Sequence, residues 1–168
     1  KEKFSLWGGT FHSVANRLLR IYGKHIGLES DFTIMDTADT DTLLKLISKE
    51  FLKGLSEKRK PSPAIFRETI SFANNSKISI EARLETKFPE WVPFLDIFEK
   101  ITKEYQRRKQ VAKLLDFDDL LLYWKKLNQD ARAGETLAKK WDYILVDEYQ
   151  DTNIIQAEII FNLAKLHQ

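Results

Sequence analysis

Apolar positions recur at helical spacing along most of the chain, interrupted by three short strand-like runs. Val14, Leu18, Ile21, Tyr22 and Ile26 predict an amphipathic helix, and Gly27 is placed to stop it. Leu43, Leu44, Ile47 and Phe51 mark a second helix behind Asp36 and Asp39, which suit an N-terminal cap. Residues 53–63 are polar, basic and proline-containing, which predicts a loop, and residues 64–88 carry two short helices. Pro89 and Pro93 bracket Trp91 and open a long helix with Phe94, Ile97, Phe98, Ile101 and Tyr105 as its buried stripe. Further helices are expected over 116–124 and 154–166, with a helical linker over 127–140. These runs read differently: 4–10, 32–35 and 143–146 predict strands, the first running into a Gly-Gly turn and the last, continuously apolar, ending in carboxylates.

The order is strand, helix, strand, a long helical middle, strand, helix. Parallel strands need crossover connections, so the expected fold class is α/β, predominantly helical, with a small parallel sheet interrupted by a helical insertion. The two strand-bearing ends of the chain are expected to meet in that sheet.

Composition narrows the chemistry. At 168 residues, 43% hydrophobic and 31% charged, the chain is long enough to bury a core. No apolar run approaches the roughly 20 residues of a membrane helix, and no signal-peptide pattern opens the chain. The absence of cysteine excludes disulfides and thiolate metal sites, and His12, His25 and His167 are too scattered for a zinc centre. With 27 basic and 25 acidic side chains the net charge is +2, so contact with nucleic acid must be argued from local clusters. The chain opens Lys-Glu-Lys and its one methionine is Met35, so it is expected to be a piece of a longer protein.

Three motifs carry chemistry. The first is Tyr143-Ile-Leu-Val-Asp-Glu-Tyr-Gln-Asp-Thr-Asn153. An apolar strand delivering two consecutive carboxylates at its C-terminal end has the form of a Walker B element: one carboxylate can hold Mg²⁺ through water, and the next can polarise an attacking water. The same residues also suit a solvated acidic turn before a helix N-terminus. The second motif is Gly8-Gly-Thr-Phe-His-Ser13, where a glycine turn and donor side chains precede a helix start, a place suited to phosphate; Phe11 could stack on a base or fill a core. The third, Leu115-Asp-Phe-Asp-Asp-Leu-Leu121, also reads as an aspartate-capped amphipathic helix.

In this order and spacing, with Arg17-Leu-Leu-Arg-Ile-Tyr-Gly23 and Phe32-Thr-Ile-Met-Asp36 between them, the motifs resemble UvrD/Rep-like superfamily 1 DNA helicases over almost the whole chain. The likeness is loosest from about residue 48 to 110, a variable helical subdomain in that family. It implies that residues 1–36 and 116–168 belong to a RecA-like domain and residues 37–115 to a helical inserted subdomain. It also implies ATP and Mg²⁺ as cofactors, single-stranded DNA and a duplex junction as partners, and a bacterial cytoplasmic setting. Carried over by position, Asp147 is the Mg²⁺-binding acid, Glu148 the water activator and Gln150 the nucleotide sensor linked to DNA. Thr10, Phe11, His12 and Ser13 line the single-strand track, and Asp118 and Asp119 position the ATP-site elements.

The phosphate loop of such motors, G-x-x-x-x-G-K-[ST], has no match: Gly23-Lys24 is followed by His25 and preceded at the first glycine position by Leu18. The isolated chain is therefore expected to lack ATPase activity and to bind no nucleotide. Without a neighbour, the strand over 143–146 is expected to leave a sheet edge through which two copies could pair. Lys58, Arg59 and Lys60 in the loop and Arg107 and Arg108 on the long helix are candidate duplex contacts, or else solvated faces. Two other readings share these motifs: a helicase–nuclease subunit of the RecB/AddA kind, and a helical DNA- or protein-binding module without a motor.

Overall fold

The computed structural model describes residues 7–54 and 60–166. The described chain forms two compact units, one of residues 32–118 and one of the flanking segments up to residue 31 and from residue 119 onward.

The 32–118 unit begins with β1 (Thr33–Ile34) and Asp36, which caps α2 (Thr37–Phe51). The cap is reciprocal: the Asp39 N–H donates to Asp36 at 2.8 Å and the Asp36 N–H donates to Asp39 at 3.3 Å. Ser62 caps α3 (Pro63–Ser76), whose first-turn proline loses no helical hydrogen bond, and Ser79 caps α4 (Ile80–Lys87). A 3₁₀ turn (Pro89–Phe94) then feeds the long α5 (Leu95–Val111). Lys113 adopts a left-handed conformation (φ 52°) and turns the chain into β2 (Leu114–Leu115). β1 and β2 run parallel, pairing Thr33 with Leu114 and Ile34 with Leu115. Leu44 and Ile47 of α2, Phe66 and Ile70 of α3, Leu84 of α4 and Phe98 and Ile101 of α5 form the core. The Phe66 and Phe98 rings lie 4.4 Å apart at its centre. Each of these side chains contributes about 1.5–3 kcal/mol by leaving water.

Beneath α5 lies a buried polar knot. Lys109, 2% exposed, reaches the Asp116 carboxylate at 2.5 Å, and the Tyr105 hydroxyl donates to the same oxygen at 2.7 Å. Nearer the surface, Arg107 and Arg108 both bond Glu104, and Arg108 also bonds Glu50 of α2 at 2.6 Å. The two guanidiniums hold the Glu104 carboxyl at about 2, well below the usual carboxylate range.

The flanking unit is helical: α1 (Phe11–Tyr22), a 3₁₀ turn (Gly23–Ile26) closed by Gly27 at φ 78°, α6 (Phe117–Gln129), α7 (Ala131–Ala138) and α8 (Ile154–Leu166). Leu18, Leu19, Leu120, Leu127, Leu137, Ile155 and Ile159 are among its buried side chains. Asn128 donates to the Ile159 carbonyl at 3.2 Å and Lys125 pairs with Glu158 at 2.7 Å, tying α6 to α8.

The protein is thus a mostly helical α/β fold with a small parallel sheet; β1 falls in the strand expected over 32–35, but its partner is not one of the expected strands. It joins 33–34 to 114–115, and two residues at the end of a helix are too few to show a strand period in the sequence. Of the strand expected over 4–10, Phe4 to Leu6 lie outside the described residues and Trp7 to Thr10 form none. Residues 143–146 are not a strand either: Tyr143 is 88% and Leu145 94% exposed, and among the described residues no segment pairs with them. Apolar composition alone cannot make a strand without a partner segment, so pairing of two copies there would have to form the strand as it forms the contact. The linker expected over 127–140 is divided at Asp130, which ends α6 and caps α7 by accepting from Arg132 and Ala133. Among the described residues no helix is long and apolar enough to cross a membrane.

Replacing Lys109 by methionine strands the Asp116 carboxylate and is expected to cost about 3 kcal/mol in urea unfolding, with Lys109→Met/Asp116→Asn costing less than the single change. The Glu104 shift has its own signature. A carboxyl with a depressed folded pKa stabilises above its unfolded value, and the gain is lost as pH falls. The melting-temperature gap between wild type and Glu104→Gln should therefore be full at pH 7 and close between about pH 4.5 and 2.

Candidate functional site

The Gly8–Ser13 motif builds the start of α1. Thr10 is its N-cap: the Ser13 N–H donates to the Thr10 hydroxyl at 3.3 Å, and the Ser13 hydroxyl donates back to the Thr10 carbonyl at 2.8 Å. Gly9 has φ 144°, and a Cβ there would collide with the Ser13 hydroxyl, so the cap requires glycine at this position. Phe11 is half-buried with its ring 6.0 Å from Trp124, while Thr10 and Ser13 are exposed and His12 is partly so. Phe11 therefore packs on the core of its unit, and Thr10 and Ser13 face solvent.

The carboxylate motif occupies the segment before α8. The Glu148 N–H donates to Asp147 Oδ1 at 3.0 Å, and Glu148 takes a left-handed conformation (φ 49°), which costs a non-glycine residue about 1 kcal/mol or more. A 3₁₀ turn (Tyr149–Asp151) follows and brings the Gln150 amide onto the Glu148 carboxylate. Asn153 and Gln156 then exchange hydrogen bonds at 2.8 and 3.0 Å across the start of α8. The string thus serves as a helix start and also holds two exposed carboxylates and an amide in one short turn. Among the described residues no three His, Asp or Glu side chains converge as a ready metal cage.

The other predicted residues fall elsewhere. Asp118 accepts from Asn75 at 2.7 Å beside a cleft of about 130 Å³ shared with Asp116, Tyr105 and Arg67, and burial pushes its carboxyl up. Asp119 is buried. Lys58 and Arg59 lie outside the described residues, Lys60 is partly buried, and Arg107 and Arg108 are held by Glu104 and Glu50. The flanking unit therefore carries both the Thr10–Ser13 and the Asp147–Gln150 groups, whereas Asp118, Arg107 and Arg108 belong to the 32–118 unit.

The family model of the UvrD/REP helicase N-terminal domain matches residues 1–168. The chain belongs to that family. Among similar UvrD-type proteins, the ATP-dependent DNA helicase UvrD1 of Mycobacterium leprae is 35% identical over 161 residues, covering 95% of this chain and 20% of that protein. DNA helicase II of Haemophilus influenzae is 34% identical, covering 97% of this chain and 22% of its own length. The ATP-dependent DNA helicase PcrA of Bacillus subtilis is 35% identical, with 97% and 21% covered. The chain spans about a fifth of the length of these UvrD-type relatives.

One cluster was not legible in the UvrD motifs. The Arg17 guanidinium carbon stands 4.0 Å from the centroid of the Trp7 ring and Lys140 Nζ stands 4.6 Å from it. Trp141 meets Trp7 edge-on at 5.6 Å, and Lys140 also donates to the Tyr22 hydroxyl at 3.4 Å. Residues more than a hundred positions apart make this cluster, and no local spacing signals it.

Replacing Gly9 by alanine is expected to break the α1 cap and cost at least about 1 kcal/mol by chemical denaturation. Ser13→Ala, which removes the colliding hydroxyl, should recover part of that loss in the double variant.

Proposed function

We propose that this chain is part of an ATP-dependent DNA helicase that couples ATP hydrolysis to movement along single-stranded DNA and to duplex unwinding, in the bacterial cytoplasm. The observation that carries the reading is the exposed Asp147–Glu148–Gln150 turn in a chain whose family and similar proteins are DNA helicases. In the reading, residues 1–36 and 116–168 belong to the motor domain and residues 37–115 to its helical insertion. The division of the described chain near residues 31 and 118 supports this assignment.

Asp147 fits an ion bound through water, because Oδ1 accepts the Glu148 N–H and the other oxygen has no hydrogen-bond partner among the described residues. With no ready cage around it, an ion would take its remaining ligands from water and the nucleotide phosphates. Bound Mg²⁺-ATP supplies the phosphoryl group and its charge neutralisation. Glu148 orients water and accepts its proton, and Gln150, already bonded to Glu148, reports nucleotide occupancy to the DNA track. Thr10, His12 and Ser13 contact the strand from the start of α1, while Phe11 holds that start on the core. Asp118 acts by position, braced by Asn75. Contact with a duplex through Arg107 and Arg108 requires them to leave Glu104 and Glu50 for phosphate oxygens.

In the intact helicase, Glu148→Gln is expected to lower DNA-stimulated ATP turnover by about a hundredfold or more while nucleotide binding persists. The 168-residue chain, which has no phosphate-loop sequence, should show no turnover. DNA-stimulated hydrolysis by the chain alone, abolished by Glu148→Gln, would overturn this assignment of parts.

A further inference from the structure

The cations on Trp7 stand out by what they lack. Among the described residues neither Arg17 nor Lys140 has a carboxylate partner, whereas neighbouring cations of the same unit do: Lys125 pairs with Glu158 and Lys139 with Glu135. Their distances to one ring centroid keep the two charges within about 9 Å of each other, inside a Debye length at physiological salt. Two like charges on one indole repel, and the ring offsets only part of that, at about 0.5–1 kcal/mol for each exposed cation–π contact. An anion between them would convert the repulsion into attraction. The ring also restrains both long side chains, so less rotamer freedom is lost when an anion arrives.

The position narrows the anion. Trp7 is joined to Thr10 through Gly8 and Gly9, and three residues reach at most about 10 Å. A Cβ at Gly8 would meet nothing within 4 Å, so the chain next to the cluster is open on that side. Arg17 lies on α1 itself, behind the exposed Thr10 and Ser13. A guanidinium fork and an ammonium suit a phosphate oxygen pair.

We propose that Arg17 and Lys140, restrained by Trp7, form a phosphate-binding site that takes a backbone phosphodiester of the single strand passing Thr10. This rests on the proposed DNA track along Thr10–Ser13. It adds a second anchoring point, supplied by α1 and by the segment after α7, in which Arg17 and Lys140 are brought together across more than a hundred positions of sequence.

The test is fluorescence anisotropy of a labelled oligothymidine with the 168-residue chain across a salt series. The variants are Arg17→Gln, Lys140→Gln, the double change, Arg17→Lys and His12→Ala, with inorganic phosphate as a competing ligand. Each lost charge is expected to weaken low-salt binding about five- to tenfold and to reduce the log–log salt slope by about 0.7, as for a phosphate contact on a single strand. Arg17→Lys, which keeps the charge, should stay within about threefold of wild type, which a merely structural arginine would not predict. Millimolar inorganic phosphate should compete only weakly. Unchanged affinity and slope in the double variant, with His12→Ala still weakened, would overturn the proposal and leave the track standing. Loss in the double variant with His12→Ala unaffected would keep the phosphate site and remove the track. Tight binding of inorganic phosphate that DNA does not displace would assign the site to a free anion and overturn the DNA assignment. No binding by the wild-type chain at any salt would overturn both.

Discussion

The contact on which the 32–118 unit depends is the buried ion pair between Lys109 and Asp116, closed by the Tyr105 hydroxyl. It joins the last turn of α5 to the residue that leaves β2, across the left-handed turn at Lys113. With both ends of that turn fixed, Leu114 and Leu115 lie beside Thr33 and Ile34 in a single register. A buried charge pair stabilises little compared with an apolar isostere, but removing one partner is costly, so the pair penalises every arrangement in which the two residues separate. The apolar core supplies most of the unit's stability, and the knot specifies how its first and last segments meet.

Most helices were legible because their determinants are local. Asp36 with Asp39 and Gly27 act within a few residues of where they stand, and the 3.6-residue apolar period of α2 and α5 needs no partner to be read. Only half of the sheet was legible: the run over 32–35 contains β1, but nothing signalled its partner β2. Residues 143–146 have a better strand composition than Leu114–Leu115, yet the latter pair and the former do not, because a strand is a property of two segments. The break at Asp130 was hidden for the opposite reason: apolar residues continue on both sides, and only the aspartate cap divides them.

The candidate site shows the same split. The carboxylate turn and the Gly-Thr-Phe-His-Ser helix start are contiguous strings, and their identities were available to reading by eye. Their local geometry was not: Glu148 in a left-handed conformation, and Gly9 as the condition for the Ser13–Thr10 exchange, appear only with coordinates. Charge behaved least predictably. Arg107-Arg108 is the more conspicuous basic run in the sequence, but Glu104 and Glu50 neutralise it, while the distant Arg17 and Lys140 converge on Trp7. The number of basic residues in a stretch measures potential charge, and the carboxylates around them determine how much is available to a phosphate.

The parallel pairing of Thr33–Ile34 with Leu114–Leu115 also has an evolutionary consequence. It holds the two ends of an 87-residue stretch within about 10 Å of one another, since adjacent strands lie about 4.8 Å apart and each spans only two residues. A segment whose ends are clasped in this way behaves as a cassette. Its interior can lengthen, shorten or be exchanged between homologues while the chain on either side still finds the same two points of attachment. Sequence drift in such proteins should therefore concentrate between the clasped ends and spare the clasp.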